Sequence, residues 1–204
     1  MFRTMLRGVP VERKYPVPLT LHQLWMVSLC APVSREARAS RLTLYPYKHV
    51  NDGRARKWLT EKWEISTRPA LLGRLDDLAR VGYRARAEQR FDVSPLAWDI
   101  ALYVDVVRNG FAAGHLEEAD AWRLLHQIVP QARGVYGSWA QYAQGYLMGR
   151  LVWMDLLRGT ESESFPAPQS VSDEHLRRLL DPANIESPWH LAPWEAIGRP
   201  DRTR

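Results

Sequence analysis

At 204 residues with 46% hydrophobic side chains, the chain is long enough to bury a substantial core as one domain. The single Cys30 excludes an intrachain disulfide and a thiolate metal cluster, and no run of about 18 apolar residues suited to a membrane span occurs. Net charge is +5, with 18 basic and 8 acidic residues up to position 90 and 10 basic and 15 acidic beyond it. Such asymmetry fits a surface for nucleic acid or an acidic partner, or simply the solvated faces of one helical domain.

Residues 1–18 read as an N-terminal extension. Their basic start is followed by an apolar patch, but Pro16 and Pro18 precede that patch and His22 and Gln23 interrupt it. A loop followed by a helix over about 19–30 is therefore predicted, not an export signal, and the lone cysteine makes the cytoplasm the expected compartment. "SREARASR" extends or follows this helix. "LTLYPYK" at 42–48 is the one strand-like run, limited to an edge by Pro46. Asn51 or Asp52 is placed to cap "GRARKWLTEKW".

Ser66 or Thr67, Pro69 in the first turn, Leu71, Leu75 and Leu78 on one face, and Gly82 as a stop define the next helix. A helix from Ser94-Pro95 to about Asn109-Gly110 follows. "LEEADAWRLLHQIVP" then starts with acids, as the helix dipole favours, and is expected to end or kink at Pro130. Gly137-Ser138 opens a helix to about Arg158, the polar stretch 159–172 is a loop, and Ser172 caps a short helix through Leu180. The segment 184–195 holds Trp189 and Trp194, placed to dock it on the body, and 196–204 is expected to be a mobile tail. The predicted fold is mostly α: a compact multi-helix domain over 19–195 with little or no β-structure, its core formed by the helices at 95–109, 117–129 and 138–158.

The helix from 138 sets Trp139, Tyr142, Ala143, Tyr146, Gly149, Trp153 and Leu157 within one arc, and Arg150 falls in the middle of it. Gly145 and Gly149 make room for a neighbouring helix. A buried guanidinium needs an acidic or carbonyl partner. Asp99 lies in the apolar arc of Leu96, Leu102, Tyr103, Val106 and Val107, while Asp105 and Arg108 point away from it. A bidentate Asp99–Arg150 pair across the two helices is the expectation. His126 shares a face with Trp122, Leu125 and Val129. Asp99, His126 and Arg150 together are the candidate catalytic set if the chain is an enzyme; a register-fixing ion pair and a core histidine are the structural alternative.

The six histidines show no metal-binding spacing, and neither a phosphate loop, a nucleophile elbow nor a cysteine-histidine signature occurs, so no metal and no cofactor is expected. "RARKWLTEKW" and "RARAEQR" mix arginines with aromatics as a nucleic-acid site would, but Glu61, Glu64 and Glu88 dilute both. The residues placed to meet a protein partner are Arg54, Arg56, Lys57, Lys62, Arg84, Arg86 and Arg90, or the acidic Glu161 and Glu163.

From Arg54 to Trp153, "WLTEKWEIS", "LLGRLDDLARVGY", "AWDIALYVDVVRNGFAAGHLEEADAW" and "YGSWAQYAQGYLMGRLVW", and later "SPWHLAPW", resemble the bacterial domain-of-unknown-function 1266 family. The resemblance maps that family's recurrent positions onto Trp63, Gly82, Trp98, Asp99, Arg108, Gly114, Ala121, Trp122, Ser138, Trp139, Tyr146, Gly149, Arg150, Trp153, Pro188 and Trp189. This sequence departs from it at Leu102 and Asn109, where the family often carries arginine and tryptophan. It implies a helical bacterial domain, and a non-catalytic protein-binding role as an immunity protein neutralising an interbacterial toxin. A ligand-binding protein or enzyme built on Asp99, His126 and Arg150 stands second, and a nucleic-acid-binding module third.

Overall fold

A computed structural model describes residues 18–36, 42–46, 53–83, 94–156 and 169–197. Outside them lie most of the expected N-terminal extension, the Asn51 and Asp52 caps, Arg84, Arg86, Arg90, Glu161, Glu163 and most of the expected tail. Nine helices and a 3-10 turn occur among the described residues, with no strand. α1 is Leu21–Ser28, α2 Ala31–Glu36, α3 Gly53–Trp63, α4 Arg68–Arg80, α5 Leu96–Ala112, α6 Glu118–Val135, α7 Trp139–Leu156, α8 Gln169–Leu180 and α9 Pro188–Leu191, with the 3-10 turn at Trp194–Ala196.

Local chemistry sets most of the boundaries. Thr20 and Gln23 form a reciprocal capping box at the start of α1. Thr67 caps α4, accepting from Ala70 N, with Pro69 in the first turn. Gly82, at φ 57°, ends that helix in a left-handed conformation natural to glycine. Ser138 Oγ accepts from Gln141 N and so caps α7. Ser187 Oγ does the same for Trp189 N at α9. Two boundaries fall elsewhere than expected. α6 runs past Pro130 to Val135, because Pro130 lies on the exposed side, where water can serve the carbonyl that the ring leaves unbonded. α8 begins three residues before Ser172, which is buried rather than capping.

α5 is the axis of the fold. Every one of its residues is buried, and α3, α4, α6 and α7 pack around it. A helix wrapped on all sides needs no polar face, and the run "LAWDIALYVDVVRNGFA" is apolar all round apart from Asp99, Asp105, Arg108 and Asn109. The closest approach is to α7: a Cβ on Gly149 would collide with Pro95 O and Trp98 Cβ. Gly149→Ala is accordingly expected to lower unfolding stability by about 1–3 kcal/mol in urea titration, despite alanine's better helix propensity; a gain in stability would show that the α5–α7 seam is loose.

The C-terminal segment completes the core, as its tryptophans predict. Trp139 stacks on Trp189 with centroids 5.1 Å apart, and Trp25 packs against Trp194 at 4.9 Å. Their indoles are tied to backbone far away in sequence: Trp189 Nε1 donates to Ser28 O, Trp25 Nε1 to Trp194 O, and Trp139 Nε1 to Ala192 O. Burying such large rings while bonding their polar edge is what tryptophan does best.

Candidate functional site

The polar residues of α5 organise two separate interior regions. Near its N-terminus, Asp99 is 1% exposed and its Oδ1 accepts from Tyr83 N at 2.9 Å. Arg150, also 1% exposed, lies one residue past the tight Gly149 contact. Around this seam Trp98 packs on Tyr146 at 5.0 Å and on Trp153 at 5.8 Å. Asp99 on α5 and Arg150 on α7, the expected pair, are both buried. Both have further interactions within the fold. His126 does not join them, because it sits on the exposed side of α6 beside the buried Leu125.

The second region centres on Arg108, a position that the family resemblance singled out. Arg108 is fully buried, where helix rotation turned it away from the core, and its guanidinium is the hub of the α2–α5 contact. Nε donates to Leu44 O at 3.2 Å, Nη1 to Ser34 Oγ at 2.7 Å and Cys30 Sγ at 3.0 Å, and Nη2 to Thr43 O at 2.9 Å and Tyr45 O at 3.3 Å. This also explains why 42–46 is no strand: three successive carbonyls that would feed a sheet ladder converge on one arginine.

One turn away, buried Asp105 Oδ2 accepts from Trp58 Nε1 at 3.0 Å, and Asn109 Nδ2 donates to Asp105 O at 2.9 Å. Burial pushes the Asp105 carboxyl up to about 6 against the pull of Arg108, Trp58 and Asn109. Burial likewise raises the Cys30 thiol, more than Arg108 lowers it. A thiol held protonated and sealed from solvent is a hydrogen-bonding core residue, not a nucleophile. The signal that could have found this cluster was the hydropathy of α5 as a whole, which leaves no side for a solvated aspartate or arginine.

The residues expected to meet a partner are on the surface where they are described. Arg54, Arg56, Lys57 and Lys62 are exposed along α3. Two surface arginines fasten the α3–α4 layer to the loop after α5: Arg56 Nε donates to Ala113 O at 3.1 Å, and Arg68 to His115 O at 3.2 Å and Asp120 at 2.8 Å. Lys57 faces Glu61 at 3.8 Å. No group of three or more metal-ligating side chains occurs among the described residues.

The description "Protein of unknown function (DUF1266)" matches residues 84–194, more than half of the chain. The chain belongs to the DUF1266 family. The DUF1266 segment contains α5 to α9 and hence Arg108, Arg150, Trp139, Trp189 and Trp194, whereas the acceptors of Arg108 and Trp25 of the tryptophan cluster lie before it. α1 to α4, including the capping box and the surface cations of α3, fall outside it. No curated protein matches the chain, and no solved structure does. Several positions singled out by resemblance have clear architectural roles. Ser138 caps α7, Trp139 and Trp189 stack, Gly149 admits α5, and Gly114 adopts φ 82° two residues after α5. No described helix is long and apolar enough to cross a membrane.

Proposed function

We propose that this chain is a non-catalytic protein-binding domain, of the immunity kind in which a small helical protein covers the active site of an interbacterial toxin. One observation carries the reading: the interior polar side chains are engaged by the fold itself. Arg108, Asp105, Asp99 and Arg150 are at most 1% exposed, while the lysines and other arginines of α3, α4, α6 and α8 are at least partly exposed. An enzyme needs its acid, base and cation to meet at an accessible cavity, whereas here His126 is outside and Asp99 and Arg150 are inside. The acidic side chains interleaved among the cations of α3 and α4 weigh against a continuous phosphate-tracking stripe. A cytoplasmic home goes with this reading, since a buried reduced thiol suits a reducing compartment.

The test is co-expression of the tagged chain with the product of the neighbouring gene. A complex of defined stoichiometry, together with survival of cells that the neighbouring product otherwise kills, is the expected result. Turnover of a small substrate by the purified chain alone, lost on Arg150→Met without loss of folding, would overturn it.

A further inference from the structure

Three local features at the α3–α4 corner oppose the stability of the fold, and all three line one cavity. Glu64, which follows α3, has φ 56° and is the one non-glycine residue in the left-handed region among those described; glycine would sit there without strain. Gly73 is in the middle of α4, where glycine is a poor helix former. Packing does not call for it, since a Cβ there would meet nothing within 4 Å. Trp63 is 8% exposed, and its buried Nε1–H has no acceptor among the described residues. Such departures from local preference cluster where a surface is shaped for something other than its own folding.

The cavity measures about 290 Å³ and is lined by Trp63, Glu64, Ala70, Gly73, Arg74 and Asp77, among others. We infer that it receives a lysine or arginine side chain carried at the tip of a loop of a protein partner, an inference that rests on the protein-binding reading. Its lining holds two carboxylates, Glu64 and Asp77, and one guanidinium, Arg74, so the mouth favours a cation. The chain already displays the chemistry: Arg74 lies over the Trp63 ring at 5.5 Å and reaches Asp77 at 3.5 Å. Gly73 and Ala70 leave room for a second long side chain beside Arg74.

The experiment follows the indole N–H resonance of Trp63 in the isotope-labelled full chain, identified by its loss in Trp63→Phe. N-acetyl-arginine methylamide is added at millimolar concentration, with the corresponding glutamate and leucine compounds as controls. The arginine compound is expected to shift this resonance at least about threefold more than either control. Glu64→Gly is expected to cut that shift by a similar factor while leaving the unfolding midpoint unchanged or higher, because the left-handed strain is relieved. A resonance that stays still, or moves equally with the glutamate compound, overturns the inference. So does undiminished binding of an established protein partner by a folded Gly73→Gln variant, a result that leaves the protein-binding reading standing. A chain that binds no protein yet gives the arginine-specific shift overturns the protein-binding reading and the loop-tip occupant together, and keeps only the cation chemistry of the cavity.

Discussion

Replacing Arg108 by methionine is expected to lower unfolding stability by about 3–5 kcal/mol, enough to leave much of the protein unfolded at ambient temperature if its total stability is ordinary. Methionine fills a similar volume, so the loss is electrostatic and polar rather than a cavity effect. Three backbone carbonyls, Ser34 Oγ and Cys30 Sγ lose their donor, and Asp105 loses the cation that favours its charged form. Arg108→Lys should recover only part of the loss. An ammonium has three donors on a point, whereas the guanidinium fork here spans five acceptors in different directions. Urea titration of both variants decides the matter: a cost below about 1 kcal/mol for methionine would mean that the 42–46 segment is held by other contacts. The same variants should expose the Cys30 thiol to alkylation, since its lid is that segment and the arginine behind it.

Helix periodicity read the fold well because most elements have one wet side. Leu71, Leu75 and Leu78 appear in the sequence at helical spacing, and all three are buried on α4. It failed on α5 for a physical reason. Rotation around a helix distinguishes faces only if one of them meets solvent, and α5 has none. Asp105 and Arg108 were thus assigned to an outside that does not exist. Their partners are no help locally, since Cys30, Ser34, Leu44 and Trp58 are 47 to 78 residues distant in sequence. His126 shows the converse error. Neighbours Leu125 and Val129 define the apolar stripe of α6, but the imidazole is one step round the helix from Leu125 and falls on the wet side. The α7 seam was more legible at Gly149, which admits α5 as its place among aromatics suggests, than at Gly145, which makes room for the ring of Tyr136 and not for a helix.

Asp105 should make the protein less stable as pH rises through the mildly acidic range, opposite to the usual behaviour of a salt-bridged aspartate. The sign follows from burial outweighing the Arg108 attraction. With the carboxyl raised from 3.8 to about 6, the folded state binds a proton more tightly than the unfolded chain. The stabilisation it gives is fully present below pH 3.8 and is lost as pH climbs through about 6, amounting to about 3 kcal/mol at neutrality. Other carboxylates run the other way. Arg68 and Arg123 hold Asp120 below its ordinary value, so its contribution is present at neutral pH and is lost on acidification. The informative quantity is therefore the difference between Asp105→Asn and the native protein at each pH. Asparagine keeps an acceptor for Trp58 Nε1 and cannot ionise, so the variant should match the native protein near pH 4 and exceed it by up to about 3 kcal/mol near pH 7.5. Urea unfolding across that range measures the curve. A variant that instead loses stability above pH 6 would mean that the attraction of Arg108 outweighs burial at Asp105 and reverses the sign of the shift.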